Sequence, residues 1–288
     1  MSEPAAIDLS SPADGLGVLA ISGADTARFL QGQLSADVEK LAPGASTLAG
    51  FHNPQGRVIA VLALLRSAPD EFLAVLPREL CPAVETRLRK YILRAKVKIE
   101  DRTKSITVLG SMSGTPGQDV PRLSWGGRSM LLVPAERRGE FAVAGETSAA
   151  WKRADIAAGL PQVYQATSET FVAQMLNLDL LGAIAFDKGC YTGQEVIARA
   201  HYRGRVKRRL QRWHTPVGEG PGPGDAARGV DGRSLTVVNA VAGANGGWDV
   251  LAVGTFAASA AAPDGSGESD SAAIVVDGPL PLPYSLPE

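Results

Sequence analysis

The sequence predicts an α+β protein with a small β-barrel at its C-terminal end. Segments of helical and β-strand periodicity alternate up to about residue 205. Beyond that point the pattern changes to short strands separated by turns, and Asn245-Gly246 is a strong hairpin signal. Alternating elements followed by an all-β tail are typical of a mixed body joined to a barrel. With 288 residues, 45% of them hydrophobic, the chain can bury a substantial core in two or three domains.

The individual elements follow from periodicity, caps and turn residues. In the body we expect a short helix capped by Asp25, a hairpin of residues 57–65 and 71–76, a helix over 82–94, strands 97–99, 106–109 and 130–133, and a helix over 151–158. In the tail we expect strands 209–214, 235–238, 248–256 and 274–276, with flexible loops at 216–224 and 257–272.

The strongest functional signal is the octet Lys188-Gly189-Cys190-Tyr191-Thr192-Gly193-Gln194-Glu195. Thr192 and Glu195 have the spacing of a capping box, which predicts a helix of about three turns starting there. The positive end of that helix and the ammonium of Lys188 would both favour the thiolate of Cys190. A lone cysteine is also a common small buried residue, so both roles stay open.

The octet is similar to the K-G-C-Y-x-G-Q-E signature of the YgfZ family, folate-binding proteins related in fold to the aminomethyltransferase (T-protein) of the glycine cleavage system. Other segments that resemble this family are Gly23-Ala24-Asp25 with the following residues 29–38, Asn53-Pro54-Gln55-Gly56-Arg57, Asn177-Leu178 and residues 282–286. The resemblance therefore covers nearly the whole chain.

The resemblance implies two related α/β (ferredoxin-like) subdomains around a central folate channel, plus the C-terminal barrel. The body would cover residues 1–205, with 1–48 joined to 148–205 and 49–147 inserted, and the barrel would cover 206–288. It also implies a protein that binds tetrahydrofolate and supports iron–sulfur enzymes, including those that modify tRNA. The partners would be folate, iron–sulfur client or assembly proteins, and tRNA.

On this resemblance Cys190 would be the reactive group and Lys188 its activator. The folate-binding candidates are Trp151, Asn53, Gln55, Arg57, Tyr191, Gly193, Gln194, Glu195 and Arg199. Other interpretations of some of them remain open. A Trp on an amphipathic helix is often a core residue, and Asn-Pro-x-Gly is also a good hairpin turn.

Two departures from the relatives bear on the activity. The strand after Gly56 carries no carboxylate where the aminomethyltransferase has an acidic pair, so aminomethyl transfer is not expected. A folate-dependent one-carbon enzyme is therefore an alternative function rather than the leading one. Ala157 also replaces a Glu that anchors the pterin in relatives, which weakens the expected affinity for folate.

A basic run occupies residues 199–212, with seven bases and no acid: Arg199, Arg203, Arg205, Lys207, Arg208, Arg209 and Arg212. His201, Tyr202 and Trp213 are interleaved with it or adjoin it. The run fits either a basic surface strand or a rim that attracts a polyglutamate tail or an RNA backbone. An RNA-binding module is therefore a second alternative function.

Composition indicates a cytoplasmic protein. Two cysteines, Cys81 and Cys190, cannot form a disulfide framework and are too few for an iron–sulfur cluster, and the three histidines lack metal-ligand spacing. No metal site within the chain is therefore expected. Residues 1–8 lack the basic and apolar regions of an export signal, and the apolar stretch 58–65 is too short to span a bilayer.

Overall fold

The computed structural model describes residues 6–112, 119–143, 148–204, 206–216, 218, 220–255 and 274–287. Its helices are α1 (Thr26–Gln31), α2 (Cys81–Arg89), α3 (Ser148–Ala157) and α4 (Gln194–Tyr202). Its strands are β1 (Ile7–Asp8), β2 (Leu16–Ser22), β3 (Ser46–His52), β4 (Val58–Ala68), β5 (Glu71–Pro77), β6 (Lys98–Asp101), β7 (Ile106–Ser111), β8 (Arg122–Trp125), β9 (Arg128–Pro134), β10 (Arg208–Thr215), β11 (Ala226–Gly229), β12 (Ser234–Ala242), β13 (Trp248–Thr255) and β14 (Ile274–Leu280). The predicted mixed class is confirmed, with more sheet than helix.

A five-stranded antiparallel sheet, in the order β3-β4-β5-β2-β6, forms the centre of the body. The predicted hairpin is confirmed as β4 and β5, with Ala63 opposite Val75. Residues 58–65 of β4 are all buried, which explains their unbroken apolar run. The predicted subdomain boundary at 48/49 falls inside β3, and this one sheet contains strands from both sides of it. The division into subdomains stays a prediction.

A second sheet has the order β1-β7-β9-β8, and the tail forms a closed barrel in the order β10-β13-β12-β11-β14. Helix α3 packs against the second sheet, where the Trp151 ring occupies the space that a side chain at Gly110 would need. Trp213 is fully buried in the barrel core. It is therefore a packing residue and not part of an exposed basic rim.

A buried ion pair joins barrel to body. The Arg209 guanidinium donates to both carboxylate oxygens of Asp179 at 2.9 Å, and it also reaches the Gln174 carbonyl at 3.0 Å. The Tyr284 hydroxyl donates to the Gly159 carbonyl at 2.8 Å. The Arg209–Asp179 pair favours this one packing of barrel against body, because either charged group without the other would be buried and uncompensated.

Two helices differ from their predicted bounds. Helix α2 ends at Arg89 rather than near 94, because the Lys96 amide bonds the Asp25 carboxylate and draws the chain across to the start of α1. Helix α4 begins at Gln194 with Gly193 as its N-cap, at φ 82° and without a side-chain cap. The predicted Thr192–Glu195 capping box is therefore wrong. Arg205, Phe256 and the predicted loop 257–272 lie outside the described residues.

Candidate functional site

The octet lies against residues 23–38, which we call the N-terminal block, and Lys188 makes the main contact. Its Nζ donates to the backbone carbonyls of Gln31, Leu34 and Ala36 at 2.8, 2.7 and 2.7 Å. Gln31 is the last residue of α1, and its carbonyl has no partner within the helix. The Lys188 ammonium supplies the missing donor and also binds two carbonyls of the segment that follows the helix. Lys188 therefore joins the octet to the N-terminal block, which is distant from it in sequence.

Burial lowers the pKa of Lys188 from 10.5 to about 8, against the opposing effect of Asp37 and Glu39. The ammonium has three N–H donors, which matches the three carbonyls around it. The Tyr191 ring also lies 5.0 Å from its Nζ. This geometry is that of an anchor. The role of Lys188 as activator of Cys190 stays a prediction.

The Asn53–Arg57 turn between β3 and β4 packs on the other side of the octet. Gly56 and Gly193 both have left-handed backbones, at φ 71° and 82°. A Cβ on Gly193 would lie 2.5 Å from the Asn53 carbonyl oxygen and 3.0 Å from the Gly56 Cα. Both glycines are required because no side chain fits between the two backbones.

Asn53 holds this turn together through its own side chain. Its Oδ1 accepts from the amides of Gln55 and Arg57, both at 3.0 Å, and its Nδ2 donates to Glu169 at 2.6 Å. Glu169 in turn accepts from Arg87 at 2.7 Å, and these two donors lower the pKa of its carboxyl group. These bonds favour the hairpin-turn interpretation. The folate role of Asn53, Gln55 and Arg57 stays a prediction.

Cys190 is exposed, whereas Cys81 is buried. The Cys81 thiol has its pKa raised to about 12, mainly by burial. Among the described residues no hydrogen bond occupies the Cys190 sulfur. The buried-hydrophobe interpretation therefore does not apply to Cys190, and the junction of the three segments presents its sulfur to solvent.

The rest of the octet is divided between core and surface. Tyr191 is buried, which raises the pKa of its hydroxyl to about 12, and its ring centroid lies 6.3 Å from that of His52. The Gln194 Oε1 accepts from the Tyr191 amide at 3.3 Å. Glu195 pairs with Arg199 at 3.0 Å on the exposed face of α4, where such a pair contributes about 0.3–0.5 kcal/mol. The structure therefore places Glu195 and Arg199 at the surface and Tyr191 inside.

Trp151 lies in the core and not in an open channel. The Arg128 guanidinium carbon is 4.1 Å from its ring centroid, so that face of the ring is already covered. Arg128 also pairs with Asp155, which accepts from the Trp125 indole at 2.7 Å. Asp155 is buried, and this burial raises its pKa to about 6. These contacts argue against pterin stacking on Trp151, and they occupy the Asp155 carboxylate.

The basic run is broken up by the fold. Arg209 is buried with Asp179, Arg208 donates to the Val253 carbonyl, and Arg199 is paired with Glu195. Arg199 is exposed although paired, and Arg203 and Lys207 are the described members that are both exposed and without an ion pair. A continuous rim over residues 199–212 is therefore absent from the described part of the chain. Residues 209–211 of β10 are all buried, because this strand is covered by the body on one side and by the barrel core on the other.

A cavity of about 570 Å³ opens beside the body and the barrel segment. Its polar lining consists of Asp14, Glu79, Lys152, Tyr164 and Gln165, and the barrel segment contributes Pro223 and Ala240. None of the predicted folate residues lines it. Asp14 precedes β2 and Glu79 follows β5, so the cavity lies at the same end of the antiparallel sheet as the Asn53–Arg57 turn.

His52 was missed as a candidate because nothing in the sequence marks it. Its imidazole is almost fully buried, both ring nitrogens lack a hydrogen-bond partner among the described residues, and burial lowers its pKa to about 3. The bridge between Leu34 and Phe51 sets Gln33 opposite it, and the Gln33 Oε1 also lacks a partner there. A buried polar pair of this kind is visible only once the two segments are paired.

The described residues offer neither a metal centre nor a membrane-spanning helix. No group of three or more His, Cys, Asp or Glu side chains there could hold a metal ion. None of the helices found there has the length and apolar character needed to cross a bilayer.

Comparison with known proteins identifies the family. No protein-family model matches the chain. The chain is 36% identical over 225 residues to the "tRNA-modifying protein YgfZ" of Enterobacter sp. (strain 638), a match covering 68% of this chain and 69% of that protein. It is 33% identical over 227 residues to the protein of the same name from Escherichia coli (strain K12 / DH10B), covering 68% and 69%.

Among solved structures, the fold is similar to that of the glycine cleavage system aminomethyltransferase T from Bartonella henselae. The TM-score is 0.67 at 17% sequence identity, and the match covers 87% of this chain and 78% of that one. That likeness shows the fold alone. The sequence identity to the two bacterial proteins, over two thirds of their length, shows that this chain belongs to the YgfZ family.

Proposed function

We propose that this protein binds tetrahydrofolate and acts in the cytoplasm as an accessory factor for the assembly or repair of iron–sulfur clusters, including those of enzymes that modify tRNA. Cys190 is the reactive group. The observation that carries the proposal is the exposure of Cys190 at the junction of the octet, the N-terminal block and the Asn53–Arg57 turn. The relatives named as tRNA-modifying proteins supply the biological context.

The chemistry of Cys190 is that of a ligand shared with a partner. Iron–sulfur clusters are held by cysteine thiolates, typically four of them, and this chain has one exposed cysteine. The thiolate of Cys190 would bind iron of a client's cluster while the client supplies the other ligands. Its position on an open surface, next to an anchored and therefore rigid backbone, suits such an encounter.

The cavity fits tetrahydrofolate in size and in chemistry. Small-molecule sites commonly enclose about 300–1,000 Å³. In the cavity wall Asp14 and Lys152 are paired with each other, and Glu79 accepts from the Gln165 amide at 2.7 Å. Tetrahydrofolate would exchange these contacts for its own, with the carboxylates accepting from an aminopyrimidine edge and Lys152 released to a glutamate carboxylate. Tetrahydrofolate would supply a carrier of one-carbon units there. These residues would bind and orient it, with carboxylates other than the one that Ala157 lacks.

A complementation experiment tests the role of Cys190. A bacterial strain lacking its own YgfZ protein is supplied with the wild type, Cys190→Ser or the control Cys81→Ala, and iron–sulfur enzyme activities are measured. We expect Cys190→Ser to fail and Cys81→Ala to restore activity at equal protein levels. Full rescue by Cys190→Ser would remove the proposed role.

Calorimetric titration with tetrahydrofolate tests the cavity. We expect Lys152→Met to weaken binding at least tenfold. Arg153→Met is the matched control, because Arg153 is the next residue of the same helix and donates to the Ala242 carbonyl instead of lining the cavity. Equal affinity of all three proteins would place folate elsewhere.

A further inference from the structure

The segment between α2 and β6 is a second basic surface, which we call the basic loop (residues 90–97). It has the sequence Lys-Tyr-Ile-Leu-Arg-Ala-Lys-Val. Lys90, Arg94 and Lys96 are exposed, and none of them forms an ion pair within the described part of the chain. The loop therefore presents three unpaired, exposed cations over seven residues, whereas the described residues of the run 199–212 present two, Arg203 and Lys207.

Two large apolar side chains stand among these cations. Leu93 is 88% exposed and Tyr91 is 41% exposed. Ile92 and Val97 instead pack against the core, so the loop turns one side inward and the other to solvent. Tyr91 and Leu93 are therefore available for contact with a binding partner at this surface.

The loop is held in place at both ends. The Arg89 guanidinium donates to the Ile99 carbonyl at 2.6 Å and to Glu85 at 2.7 Å. The amide of Lys96 donates to the Asp25 carboxylate at 2.6 Å. Arg89 neutralises Glu85, and the three cations outnumber the Asp25 carboxylate, which keeps its charge beside Lys96. A fixed loop loses little conformational entropy when it binds.

We propose that the basic loop is a docking surface for RNA, with Lys90, Arg94 and Lys96 contacting phosphates and Tyr91 stacking on an unpaired base. Phosphate contacts supply most of the sequence-independent affinity for nucleic acid, and aromatic side chains accept any base on their faces. The choice of RNA among polyanions rests on the proposed role in tRNA modification. The charge and the exposure of the loop are independent of that role.

The test measures fluorescence anisotropy of a labelled single-stranded RNA 12-mer, with bulk tRNA as competitor, at several KCl concentrations. The variant is Lys90→Gln with Arg94→Gln and Lys96→Gln. Its matched control is Lys104→Gln with Arg122→Gln and Arg228→Gln, which removes three exposed bases that have no ion pair among the described residues. Removing three phosphate contacts should reduce the slope of log K against log salt by about 2. The control should keep the wild-type slope.

Tyr91→Ala tests the stacking contact and should weaken binding to the 12-mer by about 5- to 150-fold. The double variant Lys90→Arg with Lys96→Arg keeps the charge and should bind as the wild type does. Equal slopes for the loop variant and its control, or no RNA binding by the wild type, would overturn the proposal. So would loop-dependent binding to phosphatidylserine vesicles without binding to RNA, because the surface would then be a membrane contact.

The outcome is separable from that of the proposed function. Cys190→Ser and Lys152→Met leave the basic loop intact, so both should bind RNA as the wild type does. If RNA binding fails while complementation and folate titration succeed, only the docking surface is rejected.

Discussion

Gly56 and Gly193 meet back to back, with the Gly56 Cα 3.0 Å from the point that a Cβ on Gly193 would occupy. Both residues have positive φ, so each is glycine for its conformation as well as for its contact. The contact places the Asn53–Arg57 turn and the octet side by side, although they are distant in sequence. This close approach fixes where the exposed thiol of Cys190 emerges.

Gly193→Ala should lower the free energy of unfolding by about 2–5 kcal/mol, since it combines a left-handed backbone with overpacking against Asn53 and Gly56. Urea denaturation measures the loss. Gly182→Ala is the matched control, because Gly182 has φ 69° but nothing within 4 Å of the added Cβ. It should lose only about 1–2 kcal/mol. Equal losses in the two variants would show that the contact carries no strain.

Lys188→Met should lower the free energy of unfolding by about 1–3 kcal/mol, because three carbonyls of the N-terminal block lose their donor. If Lys188 acts as an anchor, the midpoint of the pH profile for iodoacetamide alkylation of Cys190 should stay unchanged. Alkylation of the folded variant over a range of pH measures this. A clear upward shift of that midpoint would instead support the predicted activating role.

The two thiols should react at very different rates in the folded protein. Iodoacetamide at pH 8 should label Cys190 and leave Cys81 unmodified, since Cys81 is buried and its pKa is raised to about 12. Mass spectrometry of the intact protein should show one adduct, and two adducts after unfolding in urea. Rapid addition of a second label to the folded protein would contradict the burial of Cys81.

His52→Leu should flatten the acid limb of the stability profile. The pKa of His52 is about 3 in the folded protein, below its ordinary 6.5, so between these values only the unfolded chain binds the proton. The free energy of unfolding therefore falls as the pH falls from about 6.5 to 3, by roughly 2–5 kcal/mol from this group. Urea denaturation from pH 7 to 4 measures the slope. An acid limb as steep in His52→Leu as in the wild type would contradict this role of His52.

Several features could be predicted because they depend on neighbours in sequence. The β4–β5 hairpin follows from an apolar run, a turn at Pro69-Asp70 and a second apolar run. The family follows from the octet, whose order of residues is itself the signal. The start of α4 could not be predicted, since Gly193 takes the N-cap because of its contact with Gly56 and not because of local capping preference.

The sequence by itself determined the mixed fold class, the hairpin, the family and the presence of a cysteine between two glycines. Tertiary structure alone decided that Lys188 is used by three carbonyls, that Trp151 is covered by Arg128 and that Arg209 is buried with Asp179. The physical reason is that a charge or an aromatic ring acts through whatever lies beside it in space. Those neighbours come from distant parts of the chain and are set by strand register and packing.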